Sequence, residues 1–264
     1  MTAAAQPTLA NTFSESYAEI YDLLHAEKPY AEETDFVLAL LKQKNQHALG
    51  SVLDLACGTG GHVIEFLKRG LYVHGNDLSA EMIAQAQRRL AEFDSDKFSL
   101  TTQPMQTVSA KSATDLAVAL YTAIGYLVSP DQLDQFFRNL HRLLRPGGLV
   151  FADVWNGQKM AQHFSTCREK LAENERWQVR RASLVSHVPL RNALSVQFHF
   201  DVLDKRQVTR SSFEEAHEVR YFTVAEIETL LLAHGFRPLH FAPFGETSSI
   251  EDCWNFCFLA ERRV

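Results

Sequence analysis

The stretch SVLDLACGTGG, residues 51–61, constrains the fold most: an apolar run ends in an acid, passes through Gly58, Gly60 and Gly61, and enters HVIEFLKR, which has helical periodicity until Gly70 ends it. That is strand, loop, helix. The alternation then repeats. LYVHGND reads as a second strand, followed by Ser79 as N-cap of a helix with Met82, Ile83, Ala86 and Leu90 on its apolar positions. KFSLTT and DLAVALY read as strands three and four, Ser129-Pro130 opens a helix, and RPGG turns it into a fifth strand, LVFADV. Strands alternating with helices imply right-handed crossovers and a mostly parallel, Rossmann-like α/β sheet.

The pattern breaks over residues 157–215, where RWQVRRASLVSHV, ALSVQFHFDVL and QVTRSSFEEAHEVRYF read as consecutive β segments, an antiparallel insertion. It resumes at Thr223 and Glu226, a capping box before IETLLLAHGF, and two strands close the chain. Residues 13–48 carry aromatic and aliphatic positions at helical spacing, two amphipathic helices parted by Pro29. The division expected is a helical segment over 1–48, a core over 49–156 and 216–264, and the insertion over 157–215.

With 264 residues, 46% of them hydrophobic, the chain suits one globular domain carrying an insertion. Its net charge of -6 argues against a general affinity for nucleic acid or anionic membranes, which need a basic face. No apolar run reaches the roughly 20 residues that span a bilayer, and the N-terminus lacks the order of a secretion signal, so a cytoplasmic protein is expected. The four cysteines form no CxxC pair, and neither a metal site nor a disulfide is expected.

A glycine loop between a first strand and its helix lets a ligand approach the backbone, and the helix start favours an anion. The dinucleotide pattern G-x-G-x-x-G fails, because its third glycine would fall on Val63. DLACGTG instead resembles the first motif of class I S-adenosylmethionine-dependent methyltransferases, and Asp77 in HGNDLS and the segment LLRPGGLV extend the resemblance. It implies S-adenosylmethionine as cofactor, with Asp54 near the methionine amino group and Asp77 clamping both ribose hydroxyls. It also implies contacts from Ala56, Cys57, Gly58, Gly60, Leu78, Met82, Leu120 and Tyr121. Where many members carry an acid for adenine, TTQPMQT has Pro104 and Met105, so adenine is expected against the backbone near Met105 and against Gln103 or Gln106.

SYAEIYDLL, YTAIGYL and AHEVRYFTVAEIETLLLAHGF are similar to small-molecule methyltransferases that include amino-sugar N,N-dimethyltransferases. In that group the N-terminal helix folds over the cofactor, which would make Tyr17 a catalytic lid residue and Tyr21 a cofactor contact. The resemblance places Tyr121, Thr122 and Tyr126 between cofactor and acceptor, Trp155 and Asn156 at the end of strand five, and His217 and Arg220 in the acceptor region. The expected catalytic set is Tyr17, Tyr126 and His217; Thr122, Trp155, Asn156 and Arg220 are expected at the substrate. Each also has a plain structural reading, such as Tyr126 as an aromatic packed on the sheet. A small-molecule acceptor is the partner expected, an amine or amino sugar first; O-methylation with a histidine base, a non-catalytic cofactor-binding protein and a homodimer stay open.

Overall fold

Strand β1 (Ser51–Asp54) lies at the centre of the molecule because its side chains are apolar on both faces and Val52 and Leu53 are wholly buried. The computed structural model describes residues 12–44 and 49–263; the polar start of the chain and the expected helical positions 45–48 lie outside the described residues. Around β1 assemble β2 (Tyr72–Asp77), β3 (Phe98–Thr102), β4 (Thr114–Ala119), β5 (Leu144–Trp155), β10 (Phe236–Pro243) and β11 (Asn255–Arg262), in the order β10-β11-β5-β4-β1-β2-β3. The first five are parallel, while β11 runs antiparallel to β5 and to β10. Strand order reverses between β1 and β4, the switch point where open α/β sheets bind ligands.

Helices cover both faces. Helices α5 (Pro130–Leu143) and α7 (Val224–Ala233) close one face, with Phe136, Phe137, Ile227 and Leu231 buried against the sheet. Helices α2 (Tyr30–Lys44) and α3 (Gly61–Lys68) close the other, with Val37, Leu41, Val63 and Phe66. Ser129 and Gln132 form a complete capping box on α5. At α7, Thr223 caps the Glu226 N–H at 3.2 Å, but the Glu226 carboxylate turns to Arg220 instead of completing the expected box.

A second sheet of four antiparallel strands runs β6 (Cys167–Glu173), β7 (Trp177–Val188), β8 (Ala193–Asp204) and β9 (Thr209–Arg220). β6 has no counterpart among the three segments read from the sequence: it is an edge strand, largely exposed on both faces, and so lacks the apolar alternation that marks a strand. Pairing of β8 with β9 continues to Arg220, which puts His217 and Arg220 on this sheet, beyond the boundary drawn at residue 215. Register puts Arg181, Ser183 and Val185 of β7, Val196 and Phe198 of β8, and Glu215, His217 and Val219 of β9 on one face, turned toward the parallel sheet. Helix α1 (Glu15–Leu24) packs between that face and helix α4 (Ala80–Arg89), burying Tyr17, Ile20 and Leu24 against Val179, Phe200 and Met82. No helix among the described residues is long and apolar enough to cross a membrane.

The two sheets meet where a short 3₁₀ turn, Ala123–Tyr126, presses on β9. A Cβ on Gly125 would lie 2.6 Å from Val219 Cγ1 and 2.8 Å from the Arg220 carbonyl oxygen, so only glycine permits this approach. Gly125→Ala is expected to lower unfolding free energy by about 1–3 kcal/mol, the usual range for overpacking. Urea titration of both proteins checks this, and an unchanged midpoint would show that the turn yields freely.

Candidate active site

The loop after β1 begins with a carboxylate that has almost no water. Asp54 is 1% exposed; its Oδ1 accepts from the Ala56 N–H at 3.3 Å and its Oδ2 has no partner. Desolvation, opposed by that N–H and reinforced by the Asp77 charge, pushes its carboxyl up to about 7. A buried, half-satisfied carboxylate of this kind fits a cationic ligand group such as an ammonium. Asp77, at the end of β2, accepts from Gly58 N–H at 2.8 Å through Oδ2 and from Ser79 N–H at 2.9 Å through Oδ1. Each oxygen keeps capacity for another donor, the arrangement a vicinal diol needs.

Gly58 (φ 54°) and Gly60 (φ 83°) occupy the left-handed region, and a Cβ on Gly58 would meet nothing within 4 Å, leaving its backbone open to a ligand. The loop is tied to α1: Thr59 Oγ1 donates to Asp22 Oδ1 at 2.6 Å, and Arg89 bonds both residues. Asn76, fully buried, donates to Gln103 O at 2.9 Å and accepts from Gln103 N at 3.1 Å, fixing the segment after β3 so that Pro104, Met105 and Gln106 line the cavity. The Gln103 carboxamide accepts from Ser109 N at 3.2 Å and is not among the lining groups.

These residues open into a cavity of about 1280 Å³, roofed by the inner face of the antiparallel sheet and walled by α1. Single-ligand pockets run roughly 300–1,000 Å³, so there is room for a cofactor and an acceptor side by side. On the roof, Tyr126 Oη lies 2.8 Å from His217 Nδ1, and His217 Nε2 lies 3.0 Å from Glu215 Oε2. Burial opposes the charge of Glu215, but hydrogen bonds from His217, from the Ser14 hydroxyl and from the backbone of Ser14 and Phe13 outweigh it and hold the carboxyl below its usual range. Burial also drives the Tyr126 phenol well above its usual range. Arg181 and Arg168 line the cavity as well and form no ion pair among the described residues.

The cavity gathers most of the positions expected from the sequence: Tyr17, Tyr21, Ala56, Cys57, Gly58, Asp77, Leu78, Met82, Met105, Leu120, Tyr121, Thr122, Tyr126, Trp155 and His217. Four lie behind its surface. Asp54 and Gly60 shape the loop from below. Asn156 caps α6 (Gly157–Gln162) through Gln158 N and donates to the carbonyls of Ile250 and Cys253, while Arg220 pairs with Glu226 and covers the Phe222 ring. Tyr121 and Thr122 hold left-handed backbone at the end of β4 (φ 63° and 58°), strain that Asp153 supports by accepting from Thr122 N at 3.1 Å. Sequence reasoning missed Phe13, His25, Arg181 and Glu215. Only Glu215 carried a signal: it stands two residues before His217 in a strand, hence on the same face.

Comparison with known proteins agrees with this geometry. Residues 52–148 match the family described as a methyltransferase domain. A Bacillus subtilis protein named as a methyltransferase is 30% identical over 227 residues, covering 84% of this chain and 86% of that protein. The Streptomyces venezuelae dTDP-3-amino-3,4,6-trideoxy-α-D-glucopyranose N,N-dimethyltransferase is 29% identical over 225 residues, 84% of this chain and 90% of its own. The crystal structure of an S-adenosylmethionine-dependent methyltransferase from Clostridium acetobutylicum superposes with a TM-score of 0.79 at 21% identity, covering 94% of this chain and 98% of that one.

The raised pKa of Asp54 sets two pH dependences. The folded, ligand-free protein holds a proton on Asp54 that the unfolded chain releases near pH 4, so this group's contribution to stability is full below that pH and is lost as pH rises through about 7. Binding runs the other way: a cationic ligand group needs the ionised acid. The Kd for S-adenosylmethionine is therefore expected to be flat above pH 7 and to weaken up to about tenfold per pH unit below it. Calorimetric titrations at pH 6, 7 and 8 check this; a profile identical to that of Asp54→Asn would remove Asp54 from the binding equilibrium.

Proposed function

The chain belongs to the class I S-adenosylmethionine-dependent methyltransferases, and on that premise we propose that it methylates the amine of a phosphate-bearing amino sugar, with Tyr126 meeting the acceptor and His217 acting as base behind it. The observation that carries this reading is the 2.8 Å contact of Tyr126 Oη with His217 Nδ1, in the same cavity as the glycine loop and Asp77. When bound, S-adenosylmethionine supplies a sulfonium-activated methyl carbon. Asp54, Asp77 and the backbone of Gly58 fit its ammonium, its ribose hydroxyls and its close approach.

The chain's own task is to deliver a neutral nitrogen in line with that carbon and to remove the proton the nitrogen must shed. An ammonium has no lone pair and cannot attack. Tyr126 Oη accepts the acceptor's proton while its own passes to His217 Nδ1: one N–H bond breaks, one O–H forms, one O–H breaks and one N–H forms. Because a free tyrosinate is disfavoured by burial, the phenol acts as a conduit whose two transfers occur together. Tyr17, 3% exposed and stacked on Phe13 at 5.6 Å, keeps water from the relay.

For the acceptor class, the similar Streptomyces venezuelae enzyme is named for a nucleotide-linked amino sugar. Arg181 and Arg168, which line the cavity and form no ion pair among the described residues, suit an acceptor bearing phosphate. Hydroxyl acceptors are the contrast arm of the test.

Purified protein with S-adenosylmethionine should turn over dTDP-amino sugars faster than free amino sugars or their hydroxyl counterparts. Tyr126→Phe should lower kcat roughly 10²-fold while leaving the cofactor Kd unchanged. A variant within threefold of wild type would take the hydroxyl out of the reaction.

A further inference from the structure

Glu215 sits at a junction that neither the methyl-transfer step nor the fold by itself requires. It is 4% exposed, and three donors converge on it: Ser14 N–H on Oε1 at 2.8 Å, Phe13 N–H on Oε2 at 2.9 Å, and His217 Nε2 on Oε2 at 3.0 Å. Two of these come from a strap just before α1, more than 200 positions away in sequence. The strap is flanked on its other side by Ser79, whose N–H binds Asp77 and whose hydroxyl oxygen lies 3.0 Å from both the Phe13 carbonyl and a Glu81 carboxylate oxygen, so that its single proton serves one or the other.

We infer that Glu215 is a positioning residue with two linked tasks: it fixes the proton of His217 on Nε2, and it fastens the Phe13–Ser14 strap over the cavity, so that the relay is complete only when the strap is closed. This rests on the reading of Tyr126 and His217 as the proton relay.

The first task follows from hydrogen-bond bookkeeping. An ionised carboxylate only accepts, so His217 Nε2 must donate to it. In the neutral imidazole Nδ1 is then unprotonated and faces Tyr126 Oη as an acceptor. The opposite tautomer would aim an N–H at the phenol and leave the relay nowhere to deliver a proton. A carboxylate that sets a histidine's tautomer and stabilises its charged form has the same role in hydrolase triads, where replacing it by an amide costs orders of magnitude in kcat.

The second task follows from the strap's conformation. Phe13 has φ 62°, a left-handed geometry that a bulky residue rarely adopts. Glu215, with Ser79 on the other side, holds it there and sets its ring edge-on to His217, with centroids 5.0 Å apart, and 5.7 Å from the Tyr126 ring. Opening the strap would strip Glu215 of two donors and expose the imidazole to water. Strap and relay therefore share one carboxylate.

Glu215→Gln tests the inference with little change in shape. Because Oε2 accepts from both Phe13 and His217, an amide NH2 in its place turns an N–H toward His217 Nε2, forces the proton onto Nδ1 and gives up the Phe13 bond, while the remaining oxygen still accepts from Ser14 N–H. The expected results are a His217 ¹⁵N spectrum, assigned by difference from His217→Gln, in which the protonated nitrogen switches from Nε2 to Nδ1. A fall in kcat of about 10²-fold or more, with acceptor KM within threefold, should accompany it. In Glu215→Ala, amide hydrogen exchange at Phe13 and Ser14 should rise at least tenfold while the exchange of Ile20 and Leu24 in α1 is unaltered. Wild-type His217 carrying its proton on Nδ1, or Glu215→Gln with wild-type kcat while Tyr126→Phe is crippled, overturns the tautomer task alone. Unchanged exchange at Phe13 and Ser14 overturns the strap task. Tyr126→Phe with full turnover removes the relay itself, a separate failure.

Discussion

The hydrogen bond from Gly58 N–H to Asp77 is small, but the cavity is organised around it. A loop leaving a central parallel strand has unsatisfied N–H groups and no hairpin partner to take them. Asp77, at the same end of the neighbouring strand, accepts one and leaves its remaining lone pairs facing the cavity. The loop can make that turn because Gly58 and Gly60 adopt left-handed backbone. With the loop fixed, Cys57 N bonds Asn76 O at 2.8 Å, and Asn76 in turn holds the segment after β3. One acid and one amide at the end of β2 thus place the floor and one wall of the site.

The roof is a problem of a different kind. An antiparallel sheet with one face toward a cavity needs alternation, and β7, β8 and β9 supply it over 12 residues each. Among its apolar residues that face carries Arg168, Arg181, Ser183, Glu215 and His217. Polar groups buried on such a face are costly unless paired, and Glu215 and His217 pair with each other, with Tyr126 and with the strap. Arg181 Nε stays without a partner, as do His25 Nε2 and Asp54 Oδ2. Asp153 Oδ1, Arg220 Nε and Arg262 Nε are also unsatisfied among the described residues, so only the His25 and Arg181 atoms belong to cavity-lining residues, where a ligand could complete the hydrogen bonding.

Legibility in the sequence divides along the same line. The glycine loop could be read because left-handed backbone at short spacing demands glycine, whereas Asp54 and Asp77 were legible only through the resemblance of their motifs to the family. The parallel strands could be read because continuous apolar runs leave few alternatives. β6 escaped because an edge strand open to solvent has no apolar pattern to display. Phe13 escaped because its role depends on a partner 202 positions away. Arg220 and Glu226 show how one contact redirects two expectations: the pair they form draws the arginine away from the cavity and the glutamate out of its capping box. Local motifs fix a backbone, whereas the direction of a long charged side chain is decided by whichever partner the tertiary fold brings near.

The two halves of the site are joined by few connections, and their arrangement bears on how it works. The parallel core holds the cofactor acids and the antiparallel sheet holds the relay. Between them stand the Gly125 turn, α1 and the strap. Gly125 gives a rigid joint, since its backbone touches β9 directly. The strap gives a different one: hydrogen bonds to Glu215 beside Ser79, a residue in left-handed backbone, and the packing of the Phe13 ring on Tyr17, Tyr21, Tyr126 and His217. The cavity keeps an opening to solvent, since its lining residues Leu78, Tyr121 and Trp254 are 42%, 45% and 38% exposed, so what depends on the strap is the relay and not entry itself. The closed strap gives two donors to Glu215 and excludes water from His217. Readiness of the proposed base therefore rests on the same short segment that Glu215 fastens.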